Sequence, residues 1–321
     1  MISKRFKYDS RSVLFLNTIQ KQARDNINDR IKKKEYEFEI IPCPICDSIN
    51  NDTLSEKDRY GLFMSSVMCK TCGLVYTNPR MTGSSYEKFY ELDQKLLYTG
   101  KEKPDGAYFD RQVSRGVSII TFLYGGVSSV PDGLNVMEVG CSSGGILKAF
   151  KDSGANVFGC DINKEYVKYG RDKGLILEAG TIKDVEIPWY PDVIIYSHTL
   201  EHVMDPIREL KNLKAISSNK TRLYIEVPGI KNLWRSYGRD FLHYLQNAHT
   251  FHFSLRTLMN FASLSGWSLV YGDETIRATF RSSDISIEYK EDTGVLNYLK
   301  RMEIYRLIPS PYRIRYLIKN G

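Results

Sequence analysis

The chain has 321 residues, 42% hydrophobic and 26% charged, enough to bury one large core and a smaller appendage. That balance excludes a disordered, collagenous or coiled-coil protein, and the longest apolar runs, residues 117–124 and 193–196, fall far short of the roughly 20 residues of a membrane span. The net charge of +7 is localised: residues 1–34 hold ten Lys or Arg against three Asp, and the rest of the chain is neutral.

Residues 1–8 are basic and lack the apolar run of a secretory signal, so a cytoplasmic location is expected. A basic leading segment attracts nucleic acid, anionic lipid or an acidic substrate, or is simply the solvated face of a helix. Residues 10–33 carry Val13, Leu14, Leu16, Ile19, Ala23, Ile27 and Ile31 at helical spacing, which predicts an amphipathic helix. Next come Cys43-Pro-Ile-Cys46 and Cys69-Lys-Thr-Cys72-Gly73, two CxxC knuckles 22 residues apart. Four thiolates so spaced suit a structural tetrahedral Zn²⁺ better than a disulfide framework; a redox-active pair is the alternative. Cys141 and Cys160 lie in apolar runs. Residues 84–124 read as a helical connector broken at Pro104-Asp105-Gly106.

From residue 134 the pattern becomes strand, helix, strand, helix. Strands are predicted at 134–139, 156–160, 192–196, 223–227, 268–271 and 285–289, with helices at 146–151, 164–173, 206–216 and 255–264. Such alternation implies an α/β, mostly parallel, doubly wound sheet, whose ligand lies beyond the carboxyl ends of the strands. The expected segments are 1–40 (basic, helical), 41–82 (zinc-binding), 83–130 (connector), 131–292 (α/β domain) and 293–321 (basic helical tail). The tail, residues 305–320, alternates bulky apolar residues with Arg306, Arg313, Arg315 and Lys319, and either packs on its own domain or touches a membrane surface.

The first strand runs into Glu138-Val-Gly140-Cys141-Ser142-Ser143-Gly144-Gly145 and then a helix. Glycines let the backbone approach a ligand, and the helix N-terminus offers amide donors. Asp161 ends the next strand, 21 residues after Gly140, where a carboxylate accepts hydrogen bonds from a ribose diol. Ser142 occupies the middle glycine position of the dinucleotide fingerprint, which disfavours a pyrophosphate.

These residues resemble the class I S-adenosylmethionine-dependent methyltransferases over about residues 134–289. The resemblance implies a Rossmann-like sheet of seven strands, the last antiparallel, behind a small zinc-ribbon-like module and helical connector. It implies donor contacts at Glu138, Gly140, Cys141, Ser142, Gly144, Asp161, Ile162, Thr181, Ile182, Ser197 and His198, and metal ligands at Cys43, Cys46, Cys69 and Cys72. Asp192 to Pro206, containing His198-Thr-Leu-Glu201-His202, looks like the motif after the fourth strand. The knuckle followed by Asn78-Pro79-Arg80, with His249-Thr-Phe-His252, resembles members with an N-terminal zinc module, which often serve sugar or polysaccharide pathways.

Methyl transfer requires alignment of donor and acceptor and removal of the acceptor proton. His198 is the expected base, ahead of His202 and His252, the last in an aromatic loop that reads as an acceptor wall or lid. Capping and packing explain Glu201 and His202 equally well. A divalent Mg²⁺ or Mn²⁺ on His198, Glu201 and His202 with Glu226 or His249 is a further option. The expected activity is methylation of a hydroxyl on a sugar-containing acceptor: a nucleotide sugar, glycan or polysaccharide precursor. The competing readings are an RNA methyltransferase, suggested by the basic N-terminus and the cysteine module although no basic and aromatic cluster surrounds the cysteines, and a non-enzymatic S-adenosylmethionine-binding partner protein.

Overall fold

A computed structural model describes residues 1–100, 106–284 and 288–309. In chain order the elements are α1 (Thr18–Lys32), β1 (Phe38–Glu39), β2 (Asn51–Lys57), β3 (Phe63–Cys69), β4 (Val75–Thr77), β5 (Arg80–Met81) and α2 (Gly83–Phe89). A π-helical turn (Tyr90–Gln94) leads to α3 (Lys95–Thr99), then α4 (Gly106–Tyr124), β6 (Asn135–Val139), α5 (Gly145–Asp152), β7 (Asn156–Asp161), α6 (Lys164–Asp172) and β8 (Leu177–Ala179). The remainder comprises β9 (Val193–Ser197), a 3-10 turn (Leu200–His202), α7 (Pro206–Ala215), β10 (Arg222–Glu226), α8 (Phe241–Tyr244), β11 (Phe251–His252), α9 (Leu255–Leu264), β12 (Trp267–Gly272), β13 (Arg277–Ser282) and α10 (Val295–Tyr305). Among the described residues, no helix is long and apolar enough to cross a membrane.

The chain forms two compact units that interleave in sequence: Met1–Glu102, Pro228–Asn260 and Tyr289–Gly321 make the first, Lys103–Val227 and Phe261–Glu288 the second. In the first, the cysteine-bearing hairpin β2–β3 extends into a four-stranded sheet, β11-β4-β3-β2. Its core joins Leu54 and Met64 of the hairpin and Val75 of β4 to Phe241, Leu242 and Leu245, and to Leu299 and Met302 of α10. The second knuckle is tied down by the C-terminal segment: Asp292 N–H donates to Cys72 O at 3.0 Å. Gly73, at φ +81°, sits so close that a β-carbon would lie 2.2 Å from Asp292 O.

Helix α1 begins later than its periodicity predicts. Asn17 caps it in a reciprocal box with Gln20. Upstream, Ser12 Oγ and Val13 N–H instead donate to Arg59 O at 2.9 and 3.0 Å, which holds that stretch outside the helix.

The second unit is a seven-stranded sheet, order β12-β13-β10-β9-β6-β7-β8. Strands β10, β9, β6, β7 and β8 are parallel, whereas β13 runs antiparallel between β10 and β12. β9 (Val-Ile-Ile-Tyr-Ser) is buried at every position, as a central strand covered on both faces requires. Below one face, Ile119 and Ile120 of α4 and Leu147 and Phe150 of α5 pack with Val136, Val157 and Ile195. The pairing of α4 with α5 is close because Gly116 offers no side chain; a β-carbon there would meet Ala149 Cβ at 2.7 Å. The short strand β8 and the strand β13 escape the periodicity reading. The expected strand 285–289 lies mostly outside the described residues, and 288–289 are not strand. Residues 310–321 of the tail also lie outside them.

Strand order reverses at β6: the chain moves outward through β7 and β8, then returns to β9 and β10 on the other side. The crevice between the carboxyl ends of β6 and β9 is the topological switch point, where open α/β sheets bind ligands.

Candidate active site and metal centre

The switch point is built from three chain turns. After β6, Gly140 takes φ +72°, and the space beside it is filled by the turn after β9: a β-carbon at 140 would lie 2.4 Å from Thr199 Oγ1. Gly140 and Cys141 amides donate to Cys160 O at 2.8 and 3.0 Å, locking the loop against β7. Ser142, also at positive φ, donates its amide to Asp161 Oδ2 at 2.7 Å, while Asn163 N–H donates to Oδ1 at 2.8 Å. Each carboxylate oxygen keeps a lone pair for an outside donor. Burial pushes the Asp161 pKa up, against the pull of these two amides. Helix α5 starts at Gly144 and Gly145 with no side-chain cap, leaving its N-terminal dipole uncompensated by a side chain.

Glu138, one residue before the end of β6, is 1% exposed, and its Oε2 has no hydrogen-bond partner. Burial drives its pKa well up, the Asp161 charge adds to that, and Arg115 of α4 opposes it. An orphaned buried carboxyl oxygen at a ligand crevice is the acceptor a bound amine or hydroxyl would use. Gly180 N–H donates to Asp161 O at 3.0 Å, bringing the turn after β8 alongside. There, Thr181 N–H and Oγ1 are both engaged by Asp184 Oδ2, Ile182 is buried, and Ile162 is largely exposed.

His198 follows β9 in a left-handed conformation, φ +53°, with its amide donating to Glu226 O at 2.7 Å. Its ring lies between two carboxylates: Nδ1 is 3.4 Å from Glu201 Oε1 and Nε2 is 3.8 Å from Glu226 Oε1. Burial alone would lower its pKa, but Glu201 and Glu226 outweigh that and raise it to about 9. The same pairing draws Glu226 below its ordinary value although burial acts the other way. Ser197 Oγ and Tyr224 Oη also donate to Glu226 Oε2 at 3.4 and 3.2 Å. His202 ends the 3-10 turn with Nε2 3.8 Å from Glu201 Oε1.

Residues 86–271, more than half of the chain, match the methyltransferase-domain family. The chain belongs to the class I S-adenosylmethionine-dependent methyltransferases. No curated protein matches the sequence significantly. Among solved structures, the methyltransferase is similar to a Burkholderia thailandensis 1,6-didemethyltoxoflavin-N1-methyltransferase, with 13% identity and a TM-score of 0.46 over 73% of this chain and 100% of that one. It is also similar to a magnesium protoporphyrin IX methyltransferase from Synechocystis, with 15% identity and a TM-score of 0.42 over 62% and 97%. A third is an S-adenosylmethionine-dependent methyltransferase from Mesorhizobium loti, with 15% identity and a TM-score of 0.38 over 47% and 93%.

The three histidines expected to act as base lie in different surroundings. The two carboxylates favour the charged form of the His198 ring, which makes it a poorer proton acceptor than an isolated imidazole. The ring separates Glu201 from Glu226, presenting one nitrogen to each. His252 is not in a lid loop. It is residue 2 of β11, paired with Val75 of β4 in the first unit, 1% exposed, with neither ring nitrogen hydrogen-bonded. Burial holds its pKa down at about 3, so it stays neutral and walled off. Arg115 and Thr199 were missed by sequence reasoning. Arg115 lies in a helix with no motif, and Thr199 is marked only by its place directly after the strand.

In the first unit the four knuckle thiols converge: Cys43 and Cys72 sulfurs are 3.4 Å apart, those of Cys46 and Cys69 3.5 Å apart, and all four ligand atoms lie within 4.8 Å of one another. A ZnS₄ tetrahedron with ~2.3 Å bonds has edges of about 3.8 Å, close to these sulfur separations, so the donor set suits that ion. The hydrogen bond from Cys72 lowers the Cys43 pKa to about 6, while burial raises Cys46 to about 12. Such a buried cluster cannot ionise throughout without a cation at its centre.

Proposed function

We propose that this methyltransferase methylates a hydroxyl group of a sugar-containing acceptor, with the donor seated at the β6–β9 switch point. The observation that carries the donor placement is the convergence of Gly140, Thr199 and the Asp161 carboxylate on one crevice edge. There the Asp161 carboxylate receives the ribose hydroxyls. Glu138, Gly140, Cys141, Ser142 and Gly144 line the aminoacyl side, Ile162, Thr181 and Ile182 the adenine side, and Ser197 and His198 close the floor. The acceptor class is supported by the likeness of the cysteine module and the Asn78-Pro79-Arg80 segment to those of sugar-pathway methyltransferases. The four cysteines hold a structural Zn²⁺ that staples the hairpin of the first unit.

Bound S-adenosylmethionine supplies an electrophilic methyl group on a sulfonium. The chain's own residues orient and deprotonate. His202, half-buried at the end of the 3-10 turn, takes the acceptor's hydroxyl proton. His198, fixed as an imidazolium between Glu201 and Glu226, holds the turn that carries both His202 and Thr199. Calorimetric titration with S-adenosylmethionine and S-adenosylhomocysteine tests the placement. Asp161→Ala is expected to weaken both by at least about tenfold, the worth of hydrogen bonds to a charged acceptor. With nucleotide sugars as acceptors, His202→Gln is expected to lower kcat while leaving donor affinity unchanged. Equal donor binding by Asp161→Ala would move the donor elsewhere, and full turnover by His202→Gln would remove that residue as the base.

A further inference from the structure

Helix α10 buries one face and leaves a second apolar stripe in water. Val295, Leu299 and Met302 pack into the core of the first unit. Ile304, Leu307 and Ile308, three and four residues apart on another side of the helix and of the turn that continues it, are 63%, 68% and 49% exposed. That turn is hydrogen-bonded: the Leu307 and Ile308 amides donate to Ile304 O and Tyr305 O at 3.2 and 3.1 Å. Trp234, 41% exposed, flanks the stripe through Tyr305, their ring centres 5.8 Å apart. Its indole is braced from within by the buried Arg239, whose guanidinium carbon lies 3.9 Å from the ring centre and whose Nη1 donates to Tyr305 O at 3.3 Å.

The charge around this stripe has one sign. Lys300 and Arg301 are exposed one turn earlier, and among the described residues neither forms an ion pair. Residues 295–321 hold six Lys or Arg against one Glu, a net +5. That acid, Glu303, is partly buried and already engaged by Arg5 at 3.1 Å and Arg306 at 3.2 Å. Ser3 Oγ also donates to Glu303 at 3.3 Å, so the turn of residues 4–6 docks here and adds the exposed Lys4. Beyond the described residues the sequence continues in kind, with Tyr312, Ile314, Tyr316, Leu317 and Ile318 among Arg313, Arg315 and Lys319.

We propose that the first unit docks through this surface on an anionic lipid bilayer, lying on it rather than crossing it. Ile304, Leu307 and Ile308 enter the acyl boundary, Trp234 sits at headgroup level, and Lys300 and Arg301 meet the anionic headgroups. Nucleic acid would satisfy the cations but leave the apolar stripe in water. A second copy would bring two like-charged rims together. The surface lies wholly within the first unit and needs neither methyl donor nor acceptor, so its test is independent of the proposed activity.

The experiment is co-sedimentation of the full chain, without methyl donor, with vesicles of phosphatidylcholine alone and of phosphatidylcholine mixed with phosphatidylglycerol. Binding to the mixed vesicles that weakens with added salt is expected, and little binding to phosphatidylcholine alone. Leu307→Ser with Ile308→Ser should lower the partition coefficient by at least about tenfold, through loss of buried apolar area. Lys300→Gln with Arg301→Gln should lower it by about fivefold per charge, on the mixed vesicles only. All four positions are exposed, so both variants keep the fold. Absence of sedimentation with the mixed vesicles overturns the proposal, as does wild-type partitioning by either variant. A lipid-free dimer in sedimentation equilibrium that Leu307→Ser with Ile308→Ser dissociates would assign the face to a second copy and overturn it equally.

Discussion

Replacing Gly140 by alanine probes the close approach on which the switch-point crevice depends. The new β-carbon would lie 2.4 Å from Thr199 Oγ1 and 2.8 Å from Thr199 Cγ2, at a backbone angle of φ +72°. Left-handed backbone costs an L-residue about 1–2 kcal/mol. Overpacking of this kind adds about 1–3 kcal/mol, for a total of about 2–5 kcal/mol. At about 2–4 °C per kcal/mol for a domain of 150–250 residues, the melting temperature should fall by roughly 4–20 °C. The two contributions separate in a double-mutant cycle. Thr199→Ala removes both clashing atoms and leaves only Cβ, 3.2 Å away, so it should recover the packing loss and leave the backbone cost. The expected coupling is about 1–3 kcal/mol, read by urea unfolding, with S-adenosylmethionine titration as a parallel readout. A Gly140→Ala protein of wild-type stability, or a strictly additive cycle, would refute this account of the crevice.

The protonated state of His198 has a pH signature. Its folded pKa is raised from 6.5 to about 9, so the stabilisation it contributes is fully present below about pH 6.5 and is lost as pH rises through about 9. The stability gap between wild type and His198→Gln should therefore be flat in the acid range and shrink between pH 7 and 10; an NMR titration placing the imidazole near 6.5 would contradict the carboxylate clamp. For the cysteine cluster, one zinc per chain is expected by elemental analysis. Cys69→Ser or chelation at denaturant-weakened stability should cost on the order of 5 kcal/mol or more, since structural zinc binding is folding free energy. A zinc-free preparation that melts unchanged would rule the centre out.

Local signals exposed much of this arrangement in the sequence. The Gly140 loop, Asp161 at the end of the next strand and the two CxxC knuckles are each read from a few adjacent residues whose chemistry does not depend on distant partners. What escaped depends on pairing across the chain. β13 reads Arg-Ala-Thr-Phe-Arg-Ser, with too few apolar residues to announce a strand, yet it is held on both sides by β10 and β12. His252 sits in a stretch rich in aromatics that could equally have been a lid. Its burial follows from β4 recruiting it as a neighbour from 177 residues away, as the register His252 to Val75 shows.

The raised pKa of His198 has the same origin. Sequence supplies a histidine directly after a central strand, and an isolated imidazole there would titrate near neutrality, as a base should. Glu201 is visible three residues on, but Glu226 arrives only because β10 pairs in parallel with β9, matching Glu226 to Ser197. Two carboxylates thus face one imidazole and together favour its charged form. On the function proposed above, this acidic pair stands at the carboxyl edge of the sheet, where it would face the cationic sulfonium, and the proton-accepting role falls to His202.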